Sequence, residues 1–147
     1  MTHLNRRDPV EMCIILFDID HLKQVNDTHG HLFGDTVIKA VSQIAARTIR
    51  EKDLLVRWGG DEFVLLIFSS IDQTRQIAQR LRLAIETHNF YVPPSPSKVK
   101  TPSITISSGI AQYTQKETLK NWIFRADNAL YKAKAKGKNC IEEDTNP

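Results

Sequence analysis

Two adjacent acidic residues, Asp61 and Glu62, follow a pair of glycines between two apolar stretches of the chain. Residues 54–58 and 64–68 are β-prone, and the glycine pair between them predicts a hairpin, because tight hairpin turns need positive φ. Adjacent side chains on an extended strand point to opposite faces, so one acid can face a cleft while the other braces it. The glycines also leave the backbone open to close approach by a ligand. This pattern indicates a candidate metal and phosphate site, or alternatively an ordinary hairpin with a polar turn.

Two further acids follow the first apolar run of the chain. Residues 12–17 are uninterrupted apolar residues that include β-branched Ile14 and Ile15, which is typical of a central strand buried on both faces. Asp18 and Asp20 come directly after this run, and ligand sites in α/β sheets lie at the ends of such strands. We expect Asp20 to cap the following helix. Asp18 extends the strand itself and is the better candidate for chemistry.

The elements that must position these acids alternate between helical and extended patterns. A short helix is predicted at 21–29, closed by Gly30, and a longer helix follows 31–35 and ends near 50–53. Beyond the hairpin the sequence predicts a helix capped at 69–72 and then a surface loop at 91–102. A strand follows at 103–113, weakened at 107–109. Thr114 and Glu117 have capping-box spacing and precede the last helix, and a short edge strand is predicted at 140–141.

The last helix is predicted to stop near Gly137 and to bury an apolar face made of Leu119, Trp122, Ile123, Ala126, Ala129, Leu130 and Ala133. The element order is therefore β-α-α-β-β-α-β-α, with a possible last strand. The hairpin excludes a uniformly parallel sheet. We predict an α/β (α+β) fold with a ferredoxin-like mixed sheet of about five strands flanked by helices.

Composition limits the classes of function. A chain of 147 residues, 41% apolar and 25% charged, is typical of one soluble globular domain. A net charge of +3 does not argue for nucleic acid as a partner. No apolar run approaches the ~20 residues of a membrane span, so no direct membrane contact is expected. Cys13 and Cys140 are expected to be reduced, buried thiols of a cytoplasmic protein. The abrupt start at Met1 suggests one domain, 1–147, excised from a longer multidomain protein.

Taken together, the motifs resemble the GGDEF family of diguanylate cyclases over nearly the whole chain, from Asn5 to Asn139. The matching blocks are Phe17-Asp18-Ile19-Asp20-His21-Leu22-Lys23, Asn26-Asp27, Gly30-His31, Gly34-Asp35, Arg57-Trp58 with Gly59-Gly60-Asp61-Glu62-Phe63, 105–111 and 126–139. The resemblance implies a palm-type fold like that of nucleotide polymerases and adenylyl cyclases. It also implies a reaction in which two GTP molecules condense to cyclic di-GMP and release two pyrophosphates.

The resemblance assigns metal and catalytic roles to the acids. It implies that Asp18 and Asp61 ligate Mg²⁺ or Mn²⁺, that the backbone carbonyl of Ile19 adds a ligand, and that Glu62 completes the acidic cluster. Attack by a ribose 3′-hydroxyl on the α-phosphorus needs charge neutralisation and easier deprotonation, which hard divalent cations supply. Family usage favours Asp61 as the group that takes the 3′ proton, and Glu62 or a metal-bound hydroxide are the alternatives.

The resemblance also assigns residues to guanine. Asn26 and Asp35 would address its Watson–Crick edge, and a buried Asp35 left unpaired by adenine would discriminate against ATP. His31 would line the same pocket, and the apolar side chains packed on the base would be Leu22 and Ile38. Ordinary alternatives are a capping or packing role for His31 and helix N-capping for Asp35.

The triphosphate needs cations. Lys23 is the first candidate, and Lys134 and Lys138 are expected on one face of the last helix or its end because they are four residues apart. Their alternative role is interaction with the helix C-terminus. Lys138 stands where the family often has arginine, which removes a bidentate fork. Gly59 and Gly60 would add backbone access to the substrate, and Arg57 is expected to pack or pair locally.

A second site is implied by Arg50 and Asp53, which form an Arg-x-x-Asp motif five residues before Gly59. In the family this motif binds the product and inhibits the enzyme. The twofold symmetry of the product further implies a homodimer when active, regulated by a sensor domain that lies elsewhere in the full-length protein. Two alternatives are a catalytically silent cyclic di-GMP receptor, and a related enzyme that uses another nucleotide.

Overall fold

The structure is a computed structural model that describes residues 11–90 and 103–144. The predicted loop at 91–102 and the chain start at Met1 lie outside these residues. The elements are β1 (Cys13–Ile19), α1 (Leu22–His29), α2 (His31–Thr48), β2 (Leu54–Gly59), β3 (Glu62–Ile67), α3 (Ile71–Glu86), β4 (Ile106–Gln112), α4 (Leu119–Ala135) and β5 (Ile141–Asp144). The predicted order of helices and strands is confirmed, including the short last strand.

The five strands form one mixed sheet in the order β2-β3-β1-β4-β5. The pairs β1–β3, β1–β4 and β2–β3 are antiparallel, and β4–β5 is parallel. The central strand, β1, is buried at every residue except half-buried Leu16. Both its edges are paired and both its faces are covered, which explains its unbroken run of apolar residues. The predicted mixed sheet of about five strands is confirmed.

Side chains of the sheet alternate between two cores. The larger core holds the odd-numbered residues of β1 together with the inner faces of α1, α2 and α3. Within it the rings of Phe17 and Phe63 stack with centroids 4.9 Å apart, which ties β1 to β3. The smaller core lies on the other face, where Ile14 and Ala111 pack under Trp122 and Ala126 of α4.

The last helix begins later than the capping-box spacing predicted. Glu117 accepts hydrogen bonds from the Thr114 amide and hydroxyl, which closes a turn before the helix. The N-cap is Thr118, whose hydroxyl accepts from the Asn121 amide. The prediction that Leu119 is buried is wrong, because this first helical residue is 64% exposed.

Asp20 does not cap the first helix, contrary to expectation. The N-cap position of α1 is His21, and no side chain makes a capping hydrogen bond there. The Asp20 carboxylate is buried and accepts hydrogen bonds from Thr105, Ser107 and Asn139. Partners more than 80 residues away therefore outweigh the local capping preference.

Both cysteines are free thiols, with Cys13 buried and Cys140 half-buried. Across residues 11–90 and 103–144, no helix combines the length and apolar character needed to cross a membrane.

Close packing of α4 on β4 depends on Gly109. The strand continues through residues 107–109, where the sequence predicted a weak point. A Cβ at Gly109 would overlap the Ala126 carbonyl oxygen and the Leu130 main-chain nitrogen. Glycine is therefore needed so that helix and strand backbones can approach each other.

We predict that Gly109→Ala destabilises the protein by about 3 kcal/mol, because the overlapping atoms belong to backbone and cannot move aside. Urea unfolding followed by tryptophan fluorescence measures the change. Gly60→Ala is the matched control, since a Cβ there meets nothing within 4 Å, and it should stay within about 0.5 kcal/mol of wild type. Equal stability of the two variants would contradict the packing argument.

Candidate active site

The tip of the β2–β3 hairpin is held by two main-chain carbonyls. The Gly60 carbonyl accepts hydrogen bonds from Arg57 Nε and Nη2 at 3.1 and 2.8 Å. The Asp61 carbonyl accepts from the Ile19 amide at 3.3 Å, which joins the tip to the end of β1. Local pairing of Arg57 is therefore confirmed, and the main chain of Asp61 is fixed beside β1.

The hairpin turn differs in detail from the expected glycine turn. The turn residues are Gly60 and Asp61, and the β2–β3 register shifts between Arg57 and Gly59. Positive φ was predicted at the glycine pair, but neither Gly59 nor Gly60 adopts it. The prediction of open backbone is supported, since a Cβ at either glycine would meet nothing within 4 Å.

Strand register brings two carboxylates face to face. Asp18 of β1 pairs directly with Glu62 of β3, so their side chains leave the sheet on the same face. Directly opposed Cβ atoms lie roughly 4.5–5.5 Å apart in antiparallel pairs. Asp18 is 5% exposed, and its Oδ1 atom is buried with no hydrogen-bond partner. Its Oδ2 atom pairs with Lys134 Nζ of α4.

Burial is the main cause of the electrostatics at this pair. It raises the pKa of the Asp18 carboxyl above its ordinary value of 3.8; Lys134 opposes the rise, while Asp61 and Glu62 add to it. Burial alone would lower the pKa of Lys134, but Asp18, Asp61 and Glu62 together hold it above 10.5. The Asp18 side chain is only 7% exposed, so burial outweighs the attraction of Lys134 and its pKa rises. The Lys134 side chain is 39% exposed, so the nearby acids outweigh burial and its pKa also rises.

The three acids approach one another without forming a closed cluster. Asp61 and Glu62 are near enough to act on the charge of Asp18. Nevertheless, in the part of the chain that the structure describes, no group of three or more His, Cys, Asp or Glu side chains is arranged to hold a metal ion. The donor set still suits a hard cation, since a buried oxygen of Asp18 lacks a hydrogen-bond partner and Glu62 lies opposite Asp18 in the sheet.

An apolar cavity of about 550 Å³ borders Asp18 and Glu62. Its walls include Trp58 at the hairpin tip and Phe124 of α4, which are 62% and 61% exposed. The sequence did not predict this cavity, because it forms between α4 and residues of β1, β2 and β3 that are distant along the chain.

The residues assigned to guanine lie where α1 meets α2. The Asn26 side chain lies against Gly34, where any Cβ would overlap it, and its Oδ1 atom is buried without a partner. Asp35 follows Gly34 and is exposed, so the expectation that it is buried is wrong. It is the fifth residue of α2, so the N-capping alternative is wrong as well. His31 begins α2 and is also exposed.

The apolar residues assigned to the base are placed differently from one another. Leu22 is buried and Ile38 is half-buried, and both pack in the larger core. Ile38 also lines a cavity of about 360 Å³ together with Asp35 and Arg57. Two of the assigned residues, Asp35 and Ile38, therefore line one cavity. The sequence gave no reason for Gly34, whose lack of a side chain leaves room for Asn26.

Of the three assigned lysines, one reaches the acids directly. Lys134 pairs with Asp18, whereas Lys23 is exposed on α1. The expectation that Lys138 continues the helical face of Lys134 is wrong, because α4 ends at Ala135. Lys138 lies beyond Gly137 with φ of 66°. Its amide bonds the Ala133 carbonyl and the Gly137 amide bonds the Lys134 carbonyl, which is a Schellman ending.

The Arg-x-x-Asp pair forms a separate structure after α2. Asp53 is buried, and its carboxylate accepts from the amides of Arg50 at 3.0 Å and Phe68 at 2.9 Å. The exposed Arg50 lines a groove of about 430 Å³ that also contains Arg80 and Gln76 of α3. Asp53 therefore fixes the turn that presents Arg50. Arg80 is exposed on α3, and helical periodicity does not show which groove such a side chain borders.

Comparisons with known proteins agree on one family. The family model for the diguanylate cyclase GGDEF domain matches residues 1–140. The diguanylate cyclase DgcP of Pseudomonas aeruginosa is 38% identical over 137 residues, which is 92% of this chain and 20% of that protein. The probable diguanylate cyclase DgcT of Escherichia coli is 45% identical over 132 residues, 88% of this chain and 28% of that protein. The chain thus spans about a fifth to a quarter of these relatives.

A solved structure agrees as well. The GGDEF domain of DgcB from Caulobacter crescentus, in complex with c-di-GMP, superposes with a TM-score of 0.86 at 28% identity. The match covers 93% of this chain and 80% of that one. The predicted palm-like α/β fold is therefore confirmed.

Burial of Asp18 has a pH signature. Its pKa is raised on folding, so its stabilising contribution is present below the ordinary pKa and is lost as pH rises through the folded-state pKa. We predict that the free energy of unfolding of Asp18→Asn, relative to wild type, increases between pH 3.5 and pH 7. Urea unfolding at both pH values measures this difference. Asp72→Asn, whose side chain is 79% exposed in wild type, controls for the loss of one charge. A relative stability of Asp18→Asn that falls with rising pH would contradict the prediction.

Proposed function

This chain belongs to the diguanylate cyclase GGDEF domain family, and from that premise we propose that it condenses two GTP molecules into cyclic di-GMP. The observation that carries the proposal is the pairing of Asp18 with Glu62 at the tip of the hairpin. The unpartnered Oδ1 atom of Asp18 supports it further. An orphaned buried acceptor of this kind costs about 1–3 kcal/mol, which is consistent with a group kept for a ligand.

The chemistry consists of two equivalent displacements. The 3′-oxygen of one GTP forms a bond to the α-phosphorus of the other, and the bond from that phosphorus to the pyrophosphate leaving group breaks. Asp61 is proposed to accept the 3′ proton, and Glu62 is the alternative acceptor. Repeating the step in the opposite direction closes the ring and releases the second pyrophosphate.

Asp18, Asp61 and Glu62, with the Ile19 carbonyl, are the residues proposed to hold Mg²⁺ or Mn²⁺. When bound, such a cation would supply Lewis-acid stabilisation of charge on the phosphate and a lower pKa for the attacking hydroxyl. The contact between the Asp61 carbonyl and the Ile19 amide supports a shared role, because it holds the hairpin tip against the strand that carries Asp18.

Substrate choice is assigned to the α1–α2 region. Asn26 would address the O6/N3 side of guanine by donating from its amide, and exposed Asp35 can accept from N1–H and the amino group. His31, Leu22 and Ile38 would surround the base. Adenine offers no donor at the N1 position, so Asp35 would be left unpaired.

Lys23, Lys134 and Lys138 are proposed to bind the triphosphate. The contact of Lys134 with Asp18 places this ammonium beside the acids, so a phosphate and a carboxylate would share its three donors. Gly59 and Gly60 leave room for close approach of the phosphate to the hairpin.

Assembly follows from symmetry. One domain binds one GTP, so two domains must face each other across a twofold axis for both displacements to occur. We propose a homodimer as the active form, with a sensor domain in the full-length protein that controls how often the two domains meet.

The decisive assay supplies GTP or ATP with Mg²⁺ to the domain fused to a parallel dimeric coiled coil, and detects pyrophosphate and cyclic dinucleotide. We expect product from GTP alone. Asp18→Asn and Glu62→Gln should each lower kcat at least about 100-fold, as expected for groups at the reacting centre. Asp72→Asn serves as the control carboxylate. A forced dimer that binds cyclic di-GMP but makes no product would instead support the silent receptor.

Product inhibition is proposed at Arg50 and Asp53. The turn fixed by Asp53 presents Arg50 to solvent, where a guanidinium can bind guanine or phosphate of cyclic di-GMP. We predict that Arg50→Ala raises the product concentration that halves the initial rate by about tenfold, corresponding to one charged hydrogen bond. Initial rates at increasing cyclic di-GMP measure this value. Arg47→Ala, an exposed arginine three residues earlier, should leave the inhibition curve in place; an unchanged curve for Arg50→Ala would refute the site.

A further inference from the structure

The buried carboxylate of Asp20 is fixed from several directions. Its Oδ1 atom accepts from the Ser107 hydroxyl at 2.6 Å. Its Oδ2 atom accepts from the Thr105 hydroxyl at 2.8 Å and from the Asn139 amide at 3.0 Å. The Asp20 amide also donates to the Thr105 carbonyl at 2.9 Å. No ion pair with Asp20 occurs within residues 11–90 and 103–144. This negative charge is therefore held by uncharged donors alone.

These bonds join two segments that both contribute to the proposed active site. Asp20 lies two residues after Asp18, at the end of β1. Asn139 directly follows Lys138, in the turn after α4. The Asp20–Asn139 bond is thus a direct link between the segment with the metal-binding acid and the segment with a phosphate-binding lysine.

The turn that carries Lys138 needs outside support. Lys138 and Asn139 both adopt left-handed backbone conformations, with φ of 66° and 48°. Non-glycine residues in this region persist when the surrounding structure holds them there. Asp20 holds the Asn139 amide, while Arg82 and Glu86 of α3 hold its side chain. Of these three supports, only Asp20 comes from the segment of the proposed metal ligands.

Resting on the function proposed above, we propose that Asp20 is a positioning residue, which sets the turn carrying Lys138 relative to Asp18 so that both act on the same nucleotide. An ionised carboxylate suits this task because both oxygens accept hydrogen bonds. An asparagine would keep one acceptor for the Ser107 hydroxyl. Its NH₂ group would then face the Thr105 hydroxyl and the Asn139 amide, which donate to Asp20 in the wild-type protein.

The test is a double-mutant cycle on nucleotide binding. The probe is 3′-deoxy-GTP with Mg²⁺, which lacks the attacking hydroxyl and so binds without reacting, and its Kd is measured by calorimetry. Asp20→Asn should weaken binding about tenfold in the wild-type background. It should weaken binding less than about twofold when Lys138→Met is already present, because coupled residues are not additive. A merely structural role would give the same loss in both backgrounds, and that result would overturn the inference.

Ser107→Ala is the matched control. It removes one donor from Asp20 and leaves the bond to Asn139, so Kd should stay within about twofold of wild type. If circular dichroism shows that Asp20→Asn is unfolded, Asp20→Glu takes its place in the cycle, because the longer side chain keeps the carboxylate but displaces the oxygen that the Asn139 amide binds. A loss of about threefold that disappears in Lys138→Met would then support the inference, and an additive loss would overturn it.

Wild-type protein that binds no 3′-deoxy-GTP would overturn the proposed function as well, whereas binding with additive losses overturns this inference alone.

Discussion

The register of β1 between β3 and β4 determines where Asp18 and Glu62 of the site point. Asp18 lies opposite Glu62 on one side and opposite Ser107 on the other. Side chains alternate along a strand, so a slip of one residue would turn Asp18 into the opposite core. The stacked rings of Phe17 and Phe63, one residue away, oppose such a slip. The same strand register therefore fixes both the apolar core and the polar site, so neither can be rearranged without the other.

Burial of a carboxylate at this position works against stability. Asp18 carries an unpartnered buried oxygen and a raised pKa, and apolar side chains of similar size would pack in the same place without that penalty. The neighbouring core compensates, because the adjoining residues of β1 are fully apolar and buried. Groups that lower the free energy of unfolding, such as this buried carboxylate, are tolerated where the surrounding sheet holds the backbone firmly in place.

Much of the architecture could be predicted from patterns along the sequence. The buried central strand, the hairpin and the helix order follow from periodicity, which depends on neighbours in the chain. The residues of the candidate site were predicted because they form recognisable blocks, and strand register brings two of them, Asp18 and Glu62, opposite each other. A local pattern does not show competition from hydrogen-bond partners that are distant along the chain. Asp20 satisfies a capping rule, yet hydroxyls from β4 and the Asn139 amide take its carboxylate.

Element ends were predicted less well for the same physical reason. Thr114 and Glu117 have capping-box spacing, but they close a separate turn, and Thr118 begins the helix. Lys138 appeared to continue a helical face, but the left-handed Gly137 ends the helix first. In both cases two local backbone structures compete at an end of the helix, and the packing of α4 on the sheet selects one of them.

The Lys134–Asp18 pair has a further consequence for how the site comes into being. The chain supplies its own counter-ion to the buried acid, so the strand ends, the hairpin tip and α4 can come together without help from solution. If the acids bind a cation as proposed, that cation would replace or join Lys134 as the positive partner of Asp18.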